Sequence, residues 1–193
     1  MIDKKLFSNL KTELERYDAD REEVIKACRD VLKASKGAIY AVHRNEHATA
    51  KSQLEDAKKV LARIAAKVKA NPRLVAVGSI HEAQEEYAEG ACYYGLMVDK
   101  KLPSYNDLKV DIEPYLGGLC DMVGELTRKA INSAIDDDIK TAMHIRQLVR
   151  DIFEELNRLE LRNIPARRKF DSIKYGLEKL EDLALQLKLK DKL

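Results

Sequence analysis

The chain has 193 residues, 45% hydrophobic and 35% charged, with a formal net charge of +2. That length buries a core without disulfides or a structural metal, and no apolar run approaches the ~18–20 residues that span a bilayer. Eight Gly and four Pro are too few turn formers for a many-stranded sandwich or barrel; with so much charge they predict long helices.

Asp18 and Asp20 predict a helix start, Asp20-x-x-Glu23 reading as a capping-box variant. Val24, Cys28, Val31 and Leu32 then recur at helical spacing, and the pattern passes Gly37 to reach Ile39 and Val42. The next helix fits residues 48–69, with Leu54, Val60, Leu61 and Ile64 on one face and Asn71-Pro72 closing it. A helix over 74–98 follows, then a loop over 101–106 containing Pro103. Residues 111–133 form another, with Pro114 in its first turn, where a missing N–H costs little. Asp136-Asp137-Asp138 caps a helix running to about Arg162, Asn163-Ile164-Pro165 is a turn, and a last helix covers 166–188. The class is all-α: one domain over 1–193, a bundle of about six or seven helices with short connections.

Charge is segregated along this frame. Residues 74–99 contain no Lys or Arg but hold Glu82, Glu85, Glu86, Glu89 and Asp99; residues 110–127 again lack a base and hold Asp111, Glu113, Asp121 and Glu125. These nine acids leave the remainder of the chain with an excess of +11. Such a body attracts a polyanion, whereas the acidic segments repel one unless cations sit there.

At about 100° per residue, Glu82, Glu85, Glu86 and Glu89 share an arc of about 100° on the 74–98 helix, with Ile80, Ala83, Tyr87, Ala91 and Tyr94 on its apolar side. On the 111–133 helix, Asp121, Glu125, Arg128 and Asn132 form one polar stripe opposite Leu119, Val123, Leu126 and Ala130. Two antiparallel helices would bring the stripes together. Clustered carboxylates without His suit a hard divalent cation, Mg²⁺ or Mn²⁺, and Arg128 is placed to hold a neighbouring phosphate. The bland reading of either stripe alone is a solvated helix face.

Other chemistry is thin. His43 and His47 are spaced i,i+4 but do not form H-E-x-x-H, and no Glu has a His three residues on, as a ferritin-like di-iron site needs. Phosphate-binding glycine motifs are absent from the sequence. The three cysteines lie on predicted helices and read as small core residues in a reduced, cytoplasmic compartment; Met1-Ile2-Asp3-Lys4-Lys5 does not begin a secretory signal. Arg167-Arg168-Lys169 with Lys174 makes a basic start to the last helix: a solvated face, or a contact with nucleic acid or another subunit.

Cys28-Arg29-Asp30, Ala34-Ser35-Lys36 and Ile39-Tyr40-Ala41-Val42-His43-Arg44 are similar to the pattern S-R-D…E-S-K…I-F-L-L-H-R of the translin and translin-associated factor X (Trax) family, in its Trax branch, and Glu86-Tyr87-Ala88-Glu89 resembles the Trax segment E-Y-V-E, with Gly90 standing where Trax has Ala. Tyr115-Leu116-Gly117-Gly118-Leu119-Cys120-Asp121-Met122-Val123-Gly124-Glu125-Leu126-Thr127-Arg128, then Ile131-Asn132-Ser133, resembles Y-L-L-G-V-A-D-L-T-G-E-L-M-R…I-N-S. Arg168-Lys169-Phe170-Asp171-Ser172-Ile173-Lys174-Tyr175 is closer to translin's K-R-Y-D-G-L-K-Y. The resemblance implies a translin-like all-α fold, binding of RNA and of single-stranded DNA, assembly into a hollow octamer-like homo-oligomer, no membrane partner, and Mg²⁺-dependent endoribonuclease activity. Carried over residue by residue, the catalytic and metal-binding acids are Glu86, Glu89, Asp121 and Glu125; Arg128, Lys129 and Asn132 are the candidate nucleic-acid contacts. A translin-like binding module without chemistry is the alternative, and a structural bundle with ordinary surface acids a third.

Overall fold

The computed structural model describes residues 2–161 and 164–190, and the described residues are helical almost throughout. Seven α-helices occur among them: α1 (Lys4–His43), α2 (His47–Ala70), α3 (Gly78–Tyr94), the short α4 (Tyr105–Leu108), α5 (Ile112–Ile135), α6 (Ile139–Asn157) and α7 (Ala166–Leu189). The all-α bundle expected from composition and periodicity is the fold observed. The helix expected to run to about Arg162 ends earlier, at Asn157; Arg162 itself and the turn residue Asn163 lie outside the described residues.

Several expected element boundaries need correction. α1 does not start near Asp18; it runs unbroken from Lys4, with Asp3 as N-cap accepting from the Lys5 amide at 2.9 Å. No Gly or Pro interrupts residues 4–36, and the supposed capping residues are used between helices instead. Asp20 accepts from Asn71 Nδ2 at 3.3 Å and Glu23 from Lys67 Nζ at 2.6 Å, pinning the end of α2 against α1. The 74–98 stretch is three pieces: a 3₁₀ turn (Pro72–Ala76), α3, and a π-helical turn (Gly95–Asp99). The loop over 101–106 contains the start of α4, held by a Ser104–Asp107 capping box. By contrast Asp138 caps α6 as expected, accepting from the Thr141 amide at 3.1 Å.

α3 is the central element, packed against α1, α2 and α5, while α5 also packs on α6 and α7. Its predicted apolar side is buried at Ala83, Tyr87 and Ala91, and so are Ala88, Cys92 and Tyr93 on a second side. All three cysteines are free and buried, the small core residues their positions suggested; burial pushes the Cys92 and Cys120 thiols up to about 12. Among the described residues no helix is long and apolar enough to cross a membrane.

The helices carrying the acids run in the same direction, not antiparallel. The Asp111 amide at the head of α5 donates to Gln84 in the first half of α3, while Glu125 further along meets the His43–Tyr93 pair near the end of α3. The 17 residues separating α3 from α5 form a crossover long enough to return the chain to the start of α3.

Gly117 and Gly118 make the approach close. A Cβ at Gly118 would strike the Glu85 carbonyl oxygen, lie 2.7 Å from the Glu89 amide nitrogen and 3.0 Å from Ala88 Cβ. Gly90, on the opposite side of α3, lies against α1, where a Cβ would come 3.2 Å from the Ser35 carbonyl oxygen. Backbone rather than side chains therefore meets α3 on both flanks. Gly118→Ala is expected to cost about 1–3 kcal/mol through overpacking, whereas Gly124→Ala on the same helix, with nothing within 4 Å of the added Cβ, should gain about 0.5–1 kcal/mol from helix propensity. Urea unfolding of the two variants checks both signs.

Candidate acidic site between α3 and α5

The contact brings Glu85, Glu86 and Glu89 of α3 beside Asp121 and Glu125 of α5. The spacing is helical on both sides, so successive turns present a carboxylate at each step along the shared groove. Glu82, one turn earlier, is exposed and outside the cluster. The side chains of Glu85, Glu86 and Glu125 are only 18%, 17% and 24% exposed, and that of Asp121 35%.

Burial is the first cause of the electrostatic stress. It pushes the Glu89 carboxyl up to about 8, with the neighbouring charges of Glu86, Asp121 and Glu125 adding to the rise. Burial also raises Glu86 against the pull of Lys36, whose Nζ lies 3.8 Å from its carboxylate. Asp121 is raised by burial too, opposed by a hydrogen bond from Lys169. Glu125 goes the other way: its hydrogen bond with His43 holds it below the usual carboxylate range.

The His43 contact is short, Nε2 to Glu125 Oε2 at 2.5 Å. An ionised Glu125 requires the proton on Nε2 and leaves Nδ1 facing the Tyr93 hydroxyl at 3.2 Å. The imidazole is 10% exposed and its ring centroid lies 5.0 Å from that of Tyr93, so packing fixes its orientation. His47 is exposed at the start of α2 and does not join it.

Lys169, in the first turn of α7, donates to Glu85 Oε1 at 2.7 Å and Asp121 Oδ2 at 2.5 Å. Glu85 reaches this position because Gly117 has no side chain; a Cβ there would collide with its carboxylate. Among the described residues no group of three His, Cys, Asp or Glu side chains is arranged to hold a metal ion as it stands.

The candidate nucleic-acid contacts extend the groove. Arg128 is 52% exposed, 3.7 Å from Glu125, with its guanidinium 5.9 Å from the centre of the Tyr40 ring. Lys129 and Asn132 line a polar cavity of about 230 Å³ together with His43, Asn45 and Ser133. All three therefore lie toward the Glu125–His43 end of the cluster.

A sequence model of the Translin family matches residues 73–191, a span that contains all five carboxylates and Lys169. The chain belongs to the translin family. Over 173 residues it is 27% identical to an uncharacterized protein of Methanocaldococcus jannaschii, covering 86% of this chain and 75% of that one. It is similar to the crystal structure of apo-NeC3PO, with a TM-score of 0.87 at 25% identity over 96% of this chain and 98% of the other. The AfC3PO–duplex RNA complex shares the fold, with a TM-score of 0.77 at 23% identity over 95% of this chain and 97% of that one.

Within this translin-family fold, sequence reasoning missed His43 and Lys169 as site residues. Each is far from the acids in sequence, 82 positions from Glu125 and 48 from Asp121. The available signals were indirect: His43 lies next to the end of a block similar to Trax, and Lys169 sits in the basic run that opens the last helix.

The raised Glu89 carboxyl has a sign. A proton bound more tightly in the folded than in the unfolded state stabilises the fold at low pH, and that contribution is lost as pH rises from about 4.3, the unfolded value, through about 8. Without divalent ions, Glu89→Gln is therefore expected to melt several degrees above the parent chain at pH 8. The gap should close toward pH 4; calorimetry across that range reads it.

Proposed function

We propose that this protein is a divalent-metal-dependent endoribonuclease, acting as a homo-oligomer, in which Glu86, Glu89, Asp121 and Glu125 hold Mg²⁺ or Mn²⁺. The observation that carries this reading is the burial of mutually repelling carboxylates in one groove, severe enough to push Glu89 up to about 8. Stability alone gives no reason to gather them, since buried like charges oppose folding. The donor set fits such an ion: every ligand is a hard carboxylate oxygen, and a cationic group, the Lys169 ammonium, is already hydrogen-bonded within the cluster.

Bound there, the ion would supply a Lewis acid for the phosphodiester and an activated nucleophile near neutral pH. The surrounding residues have separable tasks. His43 orients Glu125 through its Nε2 proton and is itself held by Tyr93. Arg128, half exposed beside Glu125, meets a non-bridging phosphate oxygen of the strand. Lys129 and Asn132, at the adjoining cavity, contact the neighbouring nucleotide. Hydrolysis adds the water oxygen to phosphorus, breaks the P–O bond to the leaving ribose oxygen and returns a proton to that oxygen.

Two further facts support the reading. The block most similar to Trax, residues 115–133, is most of α5 and carries Asp121, Glu125, Arg128 and Asn132. A protein of the same fold, AfC3PO, has been solved in complex with duplex RNA. Association of copies, octamer-like by the resemblance, is supported by the first half of α1, where Leu6, Phe7, Leu10 and Leu14 are all at least half exposed along one helix.

Labelled RNA incubated with the purified chain in Mg²⁺ is expected to be cut, and EDTA to stop it. Asp121→Asn and Glu125→Gln should each lower cleavage by roughly 10²-fold or more, while RNA affinity measured in EDTA stays within a few-fold. Cleavage by these variants at the parent rate overturns the nuclease reading; RNA bound but left uncut by the parent chain in Mg²⁺ makes it a binding module, with single-stranded DNA as a second ligand to try.

A further inference from the structure

Glu85 lies in the cluster yet has no place among the four proposed ligands. Its carboxylate sits over Gly117 and binds Lys169, whose other partner is Asp121. The bases that face the cluster are Lys36 and His43 from α1, Arg128 from α5 itself and Lys169 from α7. Lys36 stands 3.8 Å from Glu86 and is 55% exposed, a loose surface pair. Lys169 differs, because its ammonium makes two short hydrogen bonds in a part-buried position and one of them goes to a proposed metal ligand.

We propose that Lys169 is a tethered cation that competes with the divalent ion for Asp121, with Glu85 as its second anchor. This rests on the metal-centre reading given above. The physical ground is that an ammonium and a divalent cation drawn to the same carboxylate repel each other strongly at contact distances in a part-buried site. As the side chains stand, no three acidic or imidazole groups among the described residues are arranged to hold a metal, and the Lys169 ammonium lies on Asp121 Oδ2, an oxygen a divalent ion would take. For the ion to bind that oxygen, the ammonium moves off it. A lysine suits this task, since its charge rides on a flexible four-carbon stem; Glu85, outside the ligand set, retains it nearby. Lys169 is in this sense a positioning residue: it neutralises the metal-free cluster and sets the concentration of divalent ion needed to fill it.

Mn²⁺ binding to the full-length chain, followed by electron paramagnetic resonance of the free ion, tests the competition without reference to cleavage. Lys169→Met is expected to bind Mn²⁺ roughly tenfold more tightly than the parent chain, and Lys169→Arg, which keeps the charge, to stay within about threefold of it. Equal or weaker binding by Lys169→Met overturns the competition while leaving the metal centre in place. Absence of Mn²⁺ binding in both overturns the metal centre as well. A second measurement needs no variant. Acetylation of Lys169 in the parent chain by an amine-reactive ester, read by mass spectrometry, should rise several-fold when Mg²⁺ is added. Unchanged or reduced labelling overturns the proposal.

Discussion

Where α5 lays Gly118 against the backbone of α3 and Gly117 under the Glu85 side chain, two helices approach more closely than residues with a Cβ allow. Their flanking side chains are thereby forced into one narrow groove. With larger residues at these positions the helices would stand apart, and the carboxylates of Glu85, Glu89, Asp121 and Glu125 would each be solvated alone. Gly90 repeats the device on the other flank of α3, bringing α1 near enough for His43 and Lys36 to reach the same acids. Steric subtraction at three glycines is thus the cause, and the electrostatic stress its effect.

That stress is compensated from a distance. Acids come from α3 and α5, while two of the bases and the imidazole come from α1 and α7. The compensation is uneven: Glu125 has a hydrogen-bonded imidazole and is held down, whereas Glu89 has burial and like charges around it and is driven up to about 8. A groove balanced in this way responds to any cation that enters it, because the free energy of each carboxyl depends on its neighbours' charge.

The sequence made the helices and their acidic faces legible because both follow from period. A spacing of three and four residues places Glu86 and Glu89, or Asp121 and Glu125, on one face whatever the tertiary fold. What it concealed is what no period encodes. Helix direction was misread because the residues between α3 and α5 form a crossover rather than a hairpin. The start of α1 was misplaced because Asp20 and Glu23, good capping residues, serve as anchors for Asn71 and Lys67. His43 and Lys169 reach the site only through the packing of α1 and α7, and glycines that read as neutral in composition turned out to set helix separation.

The buried thiols carry a practical consequence. Cys92 and Cys120, with thiols raised to about 12, and Cys28, also raised by burial, hold little thiolate at neutral pH, and all three side chains are buried. The folded chain is therefore expected to react slowly with maleimides. A single cysteine introduced on an exposed turn would take a fluorophore or spin label at one position, with no need to strip the native sulfurs first.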